Sequence, residues 1–160
     1  MRTTFLILFA GMLLTPLAGQ DQAYTGPIPE KTDLPYLLHA SNLIETQVTE
    51  AHQEAKKNET LYWLDGAAST TRTPLAEPIF IIRTAKLNAD KIEMYKMSVN
   101  KGRRELTIKD RPGKNDRPIY VAVTKLGKDL YKIEASEQLA NGEYSLSPAG
   151  SNQVFSFEVY

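Results

Sequence analysis

The sequence predicts an all-β domain, an antiparallel β-sandwich behind an extended N-terminal lead. Three observations carry that expectation. Apolar runs of strand length, such as Ile79-Phe80-Ile81-Ile82, are bounded by turn-forming residues. Glycine-bearing turns at Asn100-Lys101-Gly102 and Gly127-Lys128-Asp129 separate runs able to pair as hairpins. The chain that follows its leader is about 140 residues, the size of one domain able to bury a single core.

The leader is residues 1–20, MRTTFLILFAGMLLTPLAGQ. One basic residue, an apolar run from Phe5 to Leu14, and then Pro16 with small residues are the pattern of a secretory signal peptide. The apolar run is about ten residues, against the roughly 20 that a helix needs to cross a bilayer. Cleavage is expected after Gly19 or Gln20, and the mature protein is expected to be periplasmic or secreted, in a bacterial envelope setting. No later stretch approaches membrane-spanning length, so no membrane span is expected in the mature chain.

Several chemistries are excluded by composition. The chain has no cysteine, which removes disulfides, thiol catalysis, thiolate metal sites and a lipoprotein lipobox. His39 and His52 are the two imidazoles, and neither belongs to a closely spaced ligand motif. There is no Gly-rich phosphate loop and no nucleophile elbow. The formal net charge is zero, which gives no field argument for nucleic acid. The expectation is a protein that is not an enzyme and carries no cofactor and no metal.

Along the chain, residues 21–35 hold Gly26, Pro27, Pro29 and Pro35 and read as an extended linker. The sandwich is expected over 36–160, with its first strand at Tyr36 to His39. Residues 43–59 carry two readings. Ile44, Val48, Ala51 and Ala55 recur at helical spacing behind Asn42, which allows one short helix. Thr46, Val48 and Thr49 are β-branched, and Lys56-Lys57-Asn58-Glu59 reads as a hairpin turn into Thr60 to Leu64, which is the preferred reading. Ala67 to Glu77 reads as a loop. Beyond Pro78 the expected strands are Ile79 to Ile82, Ile92 to Val99, Arg104 to Lys109, Ile119 to Lys125, Leu130 to Ala135, Glu143 to Ser147 and Val154 to Tyr160. In the last of these Phe155, Phe157 and Val159 alternate with Val154, Ser156 and Glu158. That phase suits one buried and one solvated face rather than the lipid-facing band of an outer-membrane barrel ending at Tyr160.

Leu139-Ala140-Asn141-Gly142-Glu143-Tyr144 places a turn directly before a strand with Tyr at its second position. The pattern of Leu139, Gly142 and Tyr144 resembles the tyrosine corner of immunoglobulin-like and fibronectin-type sandwiches. That resemblance implies a Tyr144 hydroxyl bonded back to the backbone just upstream, with 143–147 as the penultimate strand and 154–160 as the last. The antibody-type Cys, Trp, Cys set is absent. The mature chain is also similar to uncharacterised exported bacterial proteins, which implies no activity.

Two surfaces are candidates for binding. Tyr62 and Trp63 are adjacent in a strand, so their side chains point to opposite faces, and an outward ring would stack on a sugar or anchor a protein. The segment from Lys101 to Arg117 is basic, with Lys101, Arg103 and Arg104 at its start. The expected partner is another envelope or secreted protein, held at a sheet edge or at this basic hairpin, with a glycan held by the exposed aromatics as the alternative.

Overall fold

A computed structural model describes residues 23–113 and 117–160. The leader expected over 1–20, and Lys114 and Asp116 of the basic segment, lie outside the described residues. The described chain is all-β, with two antiparallel sheets packed together. Its strands are β1 (Pro35–His39), β2 (Asn42–Glu45), β3 (Gln47–Glu50), β4 (His52–Lys56), β5 (Glu59–Asp65), β6 (Arg72–Thr73), β7 (Ile79–Arg83), β8 (Ile92–Asn100), β9 (Arg103–Lys109), β10 (Val121–Lys125), β11 (Leu130–Ala135), β12 (Gly142–Pro148) and β13 (Gln153–Val159). One short 3-10 turn, Ala89–Lys91, precedes β8.

The strand reading of 43–59 holds, and the helical alternative does not form. Val48 and Thr49 pair with Phe155 and Val154 on β13, while β4 and β5 close a hairpin across Lys57 and Asn58. Pairing on both sides of the segment outweighs its weak helical spacing. The loop expected from Ala67 to Glu77 hides a further element. Arg72 and Thr73 run parallel to the end of β13, with the Glu158 and Tyr160 amides donating to the Thr71 and Thr73 carbonyls at 2.9 and 3.1 Å.

One sheet has the order β10-β11-β7-β1-β2 and the other β3-β13-β12-β8-β9-β5-β4, with β6 beside β13. In the second sheet the two ends are β3 and β4, and Ala51 alone separates them in sequence. The sheet therefore curls until its ends are one continuous piece of chain, which encloses an interior as a barrel does. Ala51 is buried at this join and its amide donates to the Asn152 carbonyl at 2.8 Å.

Thr46 makes the other join. It lies between β2 in the first sheet and β3 in the second, and both its amide and its hydroxyl donate to the Pro35 carbonyl, at 3.3 and 2.8 Å. The chain changes sheet there without leaving a buried polar group unpaired.

The core lies between the sheets. Leu37, Phe80, Ile82 and Ile133 from the first meet Met94, Tyr144, Leu146, Phe155, Phe157 and Val159 from the second, and all are buried. Phe80 and Tyr144 flank the Phe157 ring at centroid distances of 4.8 and 5.5 Å. Each such side chain stabilises the fold by about 1.5–3 kcal/mol. One expectation is corrected here. The phase of β13 expected to face solvent is buried as well, because Val154 and Ser156 point into the interior of the curled sheet. On β12, Glu143 and Ser145 do the same.

Before β12, the Tyr144 hydroxyl donates to the Ala140 carbonyl at 2.6 Å, and Leu139 is buried beneath the turn. Gly142 stands at φ 150°, which side-chain-bearing residues rarely adopt, and a Cβ there would meet the Lys96 side chain at 3.0 Å. The lead is tied down where it reaches the sheet. Asp33 has φ 59°, its amide donates to the Arg83 carbonyl at 2.7 Å, and its carboxylate accepts the amides of Ala85, Lys86 and Leu87 at 2.8 to 2.9 Å. Partial burial works to raise its pKa, but those three amides and the Lys86 charge outweigh it and hold the carboxyl below its usual range.

Two outcomes are expected. Tyr144→Phe removes one hydrogen bond and should cost about 1 kcal/mol in urea unfolding, with the sheets unchanged. For Asp33 the lowered carboxyl means that its stabilisation is present above its unfolded pKa of about 4 and lost as pH falls through the lower folded value. Asp33→Asn should therefore reduce stability at pH 7 by about 1 kcal/mol and flatten the loss that wild type shows below about pH 4. Unfolding curves at a series of pH values test both parts.

Candidate functional site

The interior of the curled sheet is built from alternate residues of its strands. Register places Tyr62 opposite Leu106, Leu64 opposite Arg104, Tyr95 opposite Ser145, Met97 opposite Glu143 and Ser145 opposite Ser156. Ala51, Met97, Val154 and Leu106 make an apolar layer across it, with Leu64 behind them. That layer separates a buried ion pair from an open cavity.

The ion pair joins Arg104 and Glu143. Arg104 is 1% exposed. Its Nε donates to the Gly66 carbonyl at 3.1 Å, Nη2 to the Asp65 carbonyl at 3.1 Å, and Nη1 to Ser156 Oγ at 2.9 Å. Glu143 Oε2 lies 3.8 Å from Nη1 and accepts the Ser69 amide at 3.0 Å, while Ser69 Oγ donates to the Ser156 carbonyl at 3.0 Å. Burial lowers the Arg104 pKa and raises that of Glu143, and each charge opposes the other's shift. No buried side-chain polar atom among the described residues is left without a partner. The cluster ties β9, β12, β13 and the loop after β5 together.

On the other side of the apolar layer is a cavity of about 690 Å³. Its walls include the Tyr62 and Tyr95 rings, Gln53, Ile108, Ser147 and Asn152, and its charged residues are Glu50 and Glu93. The Tyr95 hydroxyl donates to Glu93 Oε2 at 2.8 Å. Burial, and after it the Glu93 hydrogen bond and charge, push the Tyr95 pKa far above its ordinary value, so the hydroxyl stays protonated. The volume is in the range of small-molecule sites.

The sequence candidates do not converge on one place. Tyr62 and Trp63 take opposite faces. Tyr62 lines the cavity, and Trp63 sits outside, stacked on His52 at 5.2 Å with the Arg103 guanidinium 5.0 Å from its ring centroid. Arg103 also pairs with Glu105, and Lys101 stands exposed in the turn at φ 48°. Arg104, expected on a basic surface, is instead a core residue, which is a correction with a plain cause: it occupies the inward phase of β9. Comparison with protein-family models, curated proteins and solved structures finds no match for this chain. Among the described residues no group of three or more histidines and carboxylates is placed to hold a metal ion.

Glu93, Tyr95 and Glu143 were not singled out by sequence reasoning. Their signal is a polar phase, Glu93, Tyr95 and Met97 on one strand and Glu143, Ser145 and Ser147 on another, which reads as a solvent face unless the sheet is known to close.

The ion pair makes a definite demand on stability. Arg104→Met leaves Glu143 in the interior without its counter-charge and should cost about 3–5 kcal/mol in urea unfolding. Adding Glu143→Gln should recover part of that loss, because the unpaired buried charge is then gone.

Proposed function

We propose that this chain is an exported, non-catalytic binding module of a bacterial envelope, built on an immunoglobulin-like sandwich. In this reading it captures an extended segment of another exported protein by strand addition at β10. The strand order supports the immunoglobulin-like part. The order β1-β7-β11-β10 corresponds to A-B-E-D of that fold, and β13-β12-β8-β9 to G-F-C-C′. The Tyr144 corner before β12 fits the same assignment. Strands β2 to β5 are then an addition that wraps the second sheet and closes it.

The observation that carries the binding reading is the outer edge of β10, which no strand pairs with among the described residues. The Ser136 amide donates to the Tyr120 carbonyl at 3.0 Å and the Leu126 amide to the Leu130 carbonyl at 2.8 Å. Alternation in an antiparallel ladder then turns the backbone groups of Tyr120, Ala122, Thr124 and Leu126 toward β11, and those of Val121, Val123 and Lys125 outward. Three consecutive outward positions are a template for a further strand. The opposite edge of the same sheet is less open, since the Glu45 carbonyl of β2 accepts the Thr71 hydroxyl and the strand runs on through Thr46 into the other sheet. Tyr120 stands 77% exposed at the start of β10, a ready anchor for an incoming chain. Arg117, Lys125 and Lys128 are exposed around this edge, which favours an acidic segment. Trp63 has a ring face against His52, so a glycan platform there has less support.

The test places a photo-crosslinking residue at Tyr120 in living cells, with and without Val123→Pro. The Val123 amide points away from β11, so proline there should leave the ladder intact, and the loss of the valine packing against the core should cost about 1–2 kcal/mol of stability. A discrete protein adduct in the parent chain that disappears with Val123→Pro is expected. An adduct indifferent to the proline, or no protein adduct, refutes strand addition at this edge.

A further inference from the structure

The cavity in the curled sheet makes a second, separate site, and its chemistry selects its ligand. Two glutamates border it and no Lys, Arg or His does: Glu93 stands on the inward phase of β8, whereas Glu50 shares the phase of Val48 and lies exposed at the rim. Neither carboxylate forms an ion pair with a described residue, and Glu93 has one oxygen bonded to Tyr95 and the other without a hydrogen-bond partner among the described residues. Glu93 therefore presents negative charge to the cavity that no described residue neutralises. Two aromatic rings, Tyr62 and Tyr95, stand on the same wall set, and the negative faces of such rings attract a cation. The floor is different in kind. Ala51, Met97, Leu106 and Val154 offer carbon and sulfur with no strong acceptor. On that apolar floor the N–H donors of a primary ammonium find no acceptor, the nearest being the Ser145 hydroxyl opposite Tyr95 one register above, whereas a methylated ammonium head brings only methyl groups to it.

We infer that this cavity binds a small organic cation with a methylated ammonium head, the head resting on the Met97 and Leu106 floor between Tyr62 and Tyr95, with Glu93 as its counter-charge. The polar rim of Gln53, Ser147 and Asn152 is left to hydrogen-bond a hydroxyl or carbonyl on the rest of the ligand. The site is independent of β10, which belongs to the other sheet.

The methionines provide the readout. Met97 is in the cavity floor, and Met94, on the same strand, is buried in the core between the sheets. With the methionine methyl groups isotopically labelled, choline is titrated into the protein and compared with 3,3-dimethylbutan-1-ol, a neutral molecule of the same shape. The Met97 methyl resonance should move saturably with choline while Met94 stays in place, and the neutral isostere should bind at least about tenfold more weakly. Glu93→Gln keeps an acceptor for the Tyr95 hydroxyl and should weaken choline about tenfold without changing the response to the isostere. Glu50→Gln, at an exposed position where folding is not at stake, should weaken choline in the same sense by a smaller factor. Equal binding of choline and its isostere, choline binding unchanged by both substitutions, or no saturable Met97 response overturns the inference.

Discussion

Ala51 holds together two strands that belong to opposite ends of one sheet. Because β3 pairs with β13 and β4 with β5, the sheet between them has to bend round until its ends meet. Closure gives the sheet an inside, and every inward position must then be filled by a side chain, an ion pair or space. The protein uses all three in sequence along the interior. Arg104 with Glu143 occupies one end, an apolar layer of Ala51, Met97, Leu106 and Val154 lies across the middle, and a cavity opens at the other. The buried charges are tolerable because Asp65, Gly66, Ser69 and Ser156 satisfy them, and those partners are in place because the ring is closed.

The two faces of β12 and β13 are put to different uses. The outer face of β12 and β13 packs on the first sheet through Tyr144, Leu146, Phe155 and Phe157. Their inner face looks into the ring. These two strands are consequently enclosed on both sides, and they are the rigid spine against which the hairpin of β4 and β5, more exposed throughout, is laid. Thr46 and Ala51 divide one stretch of chain among three neighbours, and each of them is buried with its amide satisfied.

Much of this was readable from the residues. Local signals are strong where a strand has a clear partner next to it in sequence, as for β8 with β9 across Lys101 and Gly102, or β10 with β11, and there the expected and observed elements agree. The tyrosine corner was legible because its donor and acceptor, Tyr144 and Ala140, are four residues apart. What was not legible depends on pairing at long range. Nothing near Gln47 announces that it will lie against Ser156, and so Ser156, Glu143 and Arg104 read as surface residues. β6 escaped for the same reason, being two residues that, among the described residues, pair with the end of β13 alone. The binary pattern told in from out correctly for one side of β13 and could not show that the other side also had an interior.

The last strand has a consequence for the order in which the molecule is made. β13 pairs with β3, β6 and β12, so segments from the start, middle and end of the domain all wait for residues 153–159. Contacts of such separation are slow to form, because the loop must be closed before they contribute. Among the described residues, β3 and β6 have no pairing partner in a chain that emerges N-terminus first until residues 153–159 follow. Until then the ring is open. Arrival of β13 is the event that closes the ring.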